Sequence, residues 1–101
     1  MAYSVVRTDV FEEQYESILL YLVDVLETPA AALSIMETVD LMIVRLEVTP
    51  EICAVSMKPS LEHLELREYL VKNYVVLYRI VGDRVFLEHM FHTKQNFEDY
   101  V

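Results

Sequence analysis

Tryptophan is absent from this chain, glycine and cysteine each occur once, and eight lysines and arginines stand against seventeen acidic residues. Each scarcity excludes something. A lone cysteine, Cys53, has no intrachain partner, so a disulfide framework is ruled out; the residue suits a reducing compartment and reads as a small hydrophobe. A formal charge of −9 works against broad nucleic-acid binding, whose affinity comes largely from cations that displace counterions around phosphates. Any RNA or DNA contact must therefore be local. The imbalance is concentrated early: residues 1–50 carry two basic and nine acidic side chains, and the remainder six and eight. The acidic half reads as a solvated helical face that aids solubility. Asp24, Glu37, Asp40 and Glu47 interrupt the apolar stretches, so none reaches the roughly 18 uncharged residues of a membrane span. The amino end lacks the basic start and small-residue cleavage site of a secretory signal, so a cytoplasmic protein without membrane partners is expected.

What is present is apolar and strongly patterned. At 11.9 kDa and 54% hydrophobic, residues 1–101 suffice for one domain with one shared core, and no repeat or linker divides them. The single glycine, Gly82, precedes Asp83 between two β-patterned runs, Tyr74 to Val81 and Arg84 to Phe91. Glycine in the first place of a two-residue loop suits a type II′ turn, because that place demands a positive φ. Leu66 to Val71 and a Lys72-Asn73 turn precede this hairpin, which makes a three-strand meander.

Earlier in the chain, Tyr3 to Thr8 reads as an opening strand. Asp9 with Glu12 resembles a capping box, followed by Phe11, Tyr15, Ile18, Leu19, Leu22 and Leu26 at the spacing of one helical face. Thr28-Pro29 starts a second helix with Ala32, Met36, Val39, Ile43 and Leu46 as its stripe, and Pro50 ends it. The short Glu27-Thr28 connection favours an antiparallel helical hairpin. From Pro50 to Leu64 the pattern assigns only loop, with room for a short strand. The expected fold is α+β: a helical hairpin packed on one face of a mostly antiparallel four-stranded sheet, in the order β-α-α-β-β-β, with the other face partly open.

The last strand runs into His92-Thr93-Lys94-Gln95, which brings an imidazole, an ammonium and an amide to a strand end. His92 suits either proton transfer or a strand-capping hydrogen bond. Arg67 and Arg79, on adjacent antiparallel strands, can share a side and hold a phosphate or an acidic peptide, or pair with Glu68 or Glu88. His89 shares even spacing with Leu87 and Phe91 and is expected on their face. Tyr74 and Tyr78 share one face and are expected to pack on the helices. His63, His89 and His92 match no zinc spacing, so no metal or cofactor is expected. Met36, with Met42 beside Ile43, reads as core or as a partner interface.

Arg67, then Tyr74-Val75-Val76-Leu77-Tyr78-Arg79-Ile80, Gly82-Asp83, Val85, and finally His92-Thr93-Lys94-Gln95-Asn96-Phe97 resemble the carboxy-terminal pattern of the RelE/ParE superfamily of toxins from type II toxin-antitoxin modules, the plasmid-stabilisation family. The resemblance implies a small toxin neutralised by a cognate antitoxin that wraps it. It further implies one of two targets: RelE-like members cut messenger RNA on the ribosome, whereas ParE-like members poison DNA gyrase without known catalysis of their own. The ribonuclease branch typically has an arginine where this chain has Val75, and spreads several cations over the open face. Cleavage through a 2′-hydroxyl needs a base, a proton donor and cations for the charge that builds on phosphate. His92 as base or acid, with Arg67, Arg79 and Lys94, and with Lys58 as a further cation, would be the catalytic set. Val75 and the acidic total favour the ParE-like reading; the alternatives are the nuclease and an inactive relative retained as a binding module.

Overall fold

A computed structural model describes residues 3–58 and 64–95. The elements are β1 (Ser4–Arg7), α1 (Asp9–Leu20), a π-helical turn (Tyr21–Val25), α2 (Pro29–Val48), a 3-10 turn (Pro50–Ile52), β2 (Arg67–Val71), β3 (Tyr74–Val81) and β4 (Arg84–His92). The four strands form one sheet in the order β1-β4-β3-β2. β2, β3 and β4 are the expected antiparallel meander, and β1 joins parallel to β4, pairing Ser4 with Arg84 through Arg7 with Leu87. The helical hairpin supplies the crossover that such a parallel pair requires.

Local chemistry explains the boundaries. Thr8, not Asp9, caps α1: its hydroxyl accepts from Phe11 N–H at 3.2 Å and donates to Leu87 O. Glu12 is drawn away from capping by Arg7, whose Nε donates to its carboxylate at 2.9 Å. The first helix widens into a π turn at Tyr21–Val25 and closes where Thr28 donates both its backbone N–H (2.8 Å) and its hydroxyl (3.0 Å) to Leu22 O. The Thr28 side chain thus ends α1 and makes no capping bond to α2. Glu27 accordingly takes the left-handed conformation, φ 53°, usual just past a helix end.

On α1 the expected stripe holds at Phe11, Tyr15 and Leu22, whereas Leu26 is exposed because the π turn rotates it outward. The buried stripe of α2 is Ala32, Ile35, Val39, Met42 and Leu46; Met36 is exposed and Ile43 only half-buried. The helix is apolar on several faces, so the sequence pattern alone admits more than one inward orientation. These stripes pack on Val71, Val76, Tyr78, Val85, Leu87 and Met90 of the sheet, with Tyr74 at the margin. Tyr74 and Tyr78 both face the helices, as expected.

In the β3–β4 pair, Leu77 faces His89 while Tyr78 faces Leu87, which leaves Glu88 as the extra residue of a bulge. The bulge reverses the alternation of β4. Leu87 points to the helices, whereas His89 and Phe91 stack on the other face at 5.4 Å between ring centroids. His89 and Phe91 therefore part company with Leu87. The open face carries its own small apolar cluster of Leu66, Val75, Leu77 and Phe91. Gly82 has φ 61°, as the tight turn requires, and Lys72 takes φ 56° in the corresponding place of the other hairpin. Among the described residues, a single bridge, Val55 with Arg67, is all the strand pairing that residues 50–58 make.

Candidate functional site

The four residues expected to form a cationic site lie in three separate places. Arg67 pairs with Tyr78 across β2–β3 and so sits on the helix-facing side, while Arg79, the next residue of β3, points to the open face. The expectation that these two arginines share a side is corrected by that register. Each is also engaged: Arg67 Nη1 donates to Cys53 O at 2.5 Å, tying the loop after α2 to the sheet, and Arg79 Nη2 meets Glu88 Oε2 at 3.2 Å. His92 pairs with Tyr74, four residues along β3 from Tyr78, which puts it about 13 Å from Arg67 in the strand direction.

His92 is held by its own turn. Its Nδ1 accepts from the backbone N–H of Lys94 at 3.1 Å, and its ring meets Tyr74 edge-on at 5.2 Å. Because an amide can only donate, Nδ1 must be the lone-pair nitrogen, and the neutral ring carries its proton on Nε2. That tautomer can donate from Nε2 but has no free ring lone pair for a general base. Lys94 is exposed beyond the strand. Lys58 binds Glu68 at 3.0 and 3.3 Å, and Glu68 also accepts from the buried hydroxyl of Ser56 at 2.7 Å. His63 lies outside the described residues. Among the described residues no cluster of three histidine, cysteine or acidic side chains could hold a metal ion.

The open face offers a cavity of about 240 Å³ bounded by Leu64, Leu66, Arg79, Glu88 and His89. Its one unusual group is His89, whose buried Nδ1 has no hydrogen-bond partner among the described residues. Burial pushes the pKa of this imidazole down, against a smaller upward pull from the Glu88 carboxylate. An arginine already neutralised by Glu88 beside a histidine that resists protonation is a poor place for a phosphate.

Larger spaces lie at the opposite end of the sheet. One groove of about 430 Å³ runs between α1 and the tail of β4, bounded by Glu13, Ile18, Tyr21, Tyr74, Phe91 and Gln95. A second, of about 520 Å³, lies on the other side of Tyr21, against Leu26, Ile35, Lys72 and Asn73. Tyr21, Tyr74 and His92 border both. Tyr21 is half exposed at the π turn, where Leu20, Val25 and Leu26 are exposed as well. A row of apolar side chains, Leu33, Met36, Leu41, Val44 and Val48, continues outward along α2, with Glu37, Asp40 and Glu47 among them. This surface has the composition of a protein interface, apolar and aromatic with a charged rim. The sequence reading missed Tyr21 and Gln14; the available signal was an aromatic side chain at position 21, off the buried stripe.

Comparison with known proteins agrees with this geometry. The profile of the family described as the ParE toxin of the type II toxin-antitoxin system, parDE, matches residues 5–97. A solved chain described as the chromosomal ParDE TA system from P. aeruginosa superposes with a TM-score of 0.64 at 16% sequence identity, covering 89% of this chain and 95% of that one. At that identity the superposition speaks for the fold alone. No curated protein sequence matches the chain at a significant level.

Proposed function

From the premise that this chain belongs to the ParE toxin family of type II toxin-antitoxin systems, we propose that it arrests growth by binding a protein target, DNA gyrase, and not by cutting RNA. The observation that carries this reading is the dispersal of the cations. Arg67 is spent on a backbone carbonyl, Arg79 on Glu88, and the two point to opposite faces, with His92 and Lys94 at a third position. Phosphoryl transfer needs charge stabilisation converging on one phosphate. The open face instead holds Val75, Leu77 and Phe91 in a buried apolar cluster with Leu66.

The cognate antitoxin covers the outer row of α2 and the aromatic tip of the hairpin. Leu33, Met36, Leu41, Val44 and Val48 offer an apolar stripe to a partner helix, and Glu37, Asp40 and Glu47 select lysine or arginine at its margins. A second copy of this chain would set acid against acid there. The target and the antitoxin are separately testable. Expression without antitoxin is expected to arrest growth with full-length transcripts, and the purified chain is expected to inhibit supercoiling by gyrase. Arrest accompanied by cut messenger RNA would replace this reading with the nuclease; unimpaired growth would make the chain a binding module. Val44→Glu is expected to abolish antitoxin binding while leaving the fold intact.

A further inference from the structure

β1 is too short for the strand beside it. It covers Arg84 to Leu87 of β4 and then turns into α1 at Thr8, so among the described residues the rest of β4, Glu88 to His92, has no strand on that side. The bulge at Glu88 turns the N–H groups of Met90 and His92 towards this uncovered edge. Both are satisfied by side-chain amides. Gln14 Oε1 of α1 accepts from Met90 N–H at 2.8 Å, and Gln95 Oε1 accepts from His92 N–H at 2.9 Å. Two amide oxygens, placed two residues apart along a strand, occupy the positions where the carbonyls of a neighbouring strand would sit. The apolar groove of about 430 Å³ lies directly beside them.

We propose that the Glu88–His92 edge of β4 accepts an extended, basic and apolar segment of a partner protein as an added strand, with Gln14 and Gln95 as the internal groups it displaces. The backbone of that segment pairs with Met90 and His92, and an apolar side chain enters the groove between Ile18, Tyr21 and Tyr74. Its basic character follows from charge. Glu13 borders the groove and has no ion-pair partner among the described residues, whereas Glu12 is neutralised by Arg7. A second copy of the chain would bring its own Glu13 and a net charge of −9 to the same edge, so self-pairing there is disfavoured. The inference concerns which backbone this edge receives, and does not depend on whether the chain arrests growth.

The test uses the whole chain and an octapeptide of alternating valine and lysine, followed by amide NMR. The expected result is that the Met90 and His92 amide signals move and gain protection from hydrogen exchange on titration. The same peptide methylated on alternate backbone nitrogens keeps its charge but cannot lie along a strand edge, and is expected to leave both signals in place. A valine–glutamate octapeptide is expected not to bind. In the Gln14→Ala Gln95→Ala variant the competing oxygens are gone, and the valine–lysine peptide is expected to bind about fivefold more tightly. Equal binding of the methylated peptide, shifts confined to the outer face of α2, or no shift at millimolar peptide would each overturn the proposal. Dimerisation of the double variant through β4 would overturn it in favour of a second copy as occupant.

Discussion

The two ends of β3 are built differently. Near Tyr78 a set of polar groups holds the chain together: the buried phenol donates to Pro50 O at 2.7 Å, Arg67 holds Cys53 O, and Ser56 and Lys58 hold Glu68. At Tyr74 the neighbouring strand edge is satisfied by glutamine side chains, two grooves flank a half-exposed tyrosine, and the Lys72 turn has an unfavourable φ. On the proposals above, the Tyr78 end is scaffold and the Tyr74 end is the binding surface.

The largest expected effect tests that division directly. Tyr78→Ala empties a fully buried site and leaves Pro50 O without its donor, at a cost of about 3–5 kcal/mol. Tyr74→Ala, four residues away on the same face, is expected to cost about 1 kcal/mol or less. Urea denaturation of both variants reads the difference, and equal losses would erase the contrast. Arg67→Met comes next. It breaks the charge-assisted bond to Cys53 O and is expected to cost about 1.5–3 kcal/mol without altering growth arrest.

The two hairpin turns sharpen the comparison at smaller scale. A Cβ on Gly82 would meet nothing within 4 Å, so Gly82→Ala measures backbone preference alone and is expected to destabilise by about 1 kcal/mol. Lys72 already carries such a strain at φ 56°. Lys72→Gly is therefore expected to stabilise by about 0.5 kcal/mol, the relief of the left-handed conformation less the added chain entropy of glycine. A thermal melt of each variant separates the signs.

The smallest expected effect is pH-dependent. Burial lowers the pKa of His89 in the folded chain, so the unfolded state binds the proton more readily. The stability associated with the neutral ring is complete above the ordinary histidine value near 6.5 and declines as pH falls through the lower, folded value. His89→Phe is expected to flatten the part of the stability–pH curve below neutrality that this residue contributes, as measured by denaturation at pH 7.5 and 5.5. An unchanged slope would remove His89 from the account.

Much of this was legible in the residues. The meander, both turns and the helical hairpin followed from alternation, from Gly82 and from Thr28-Pro29, because each is set by local chemistry. The inward face of α2 was not, since Met36 and Ile43 fit the helical period as well as Ile35 and Met42 do. The separation of Arg67 from Arg79 was equally hidden: strand neighbours share a face only in one register, and one residue of offset reverses it. The bulge at Glu88, which turns His89 and Phe91 away from Leu87, leaves no mark in a pattern of alternating side chains. Gln14 is a polar helix residue whose role appears only when β1 is seen to stop short.

The claim that this toxin works by contact and not by catalysis is tested most directly by expressing the His92→Ala Arg79→Ala Lys94→Ala variant without antitoxin and following growth. Arrest equal to that of the unmodified chain, at equal protein level and with an unchanged melting temperature, is the predicted result. Loss of arrest in a variant that remains folded would contradict the account and return these side chains to the centre of the mechanism.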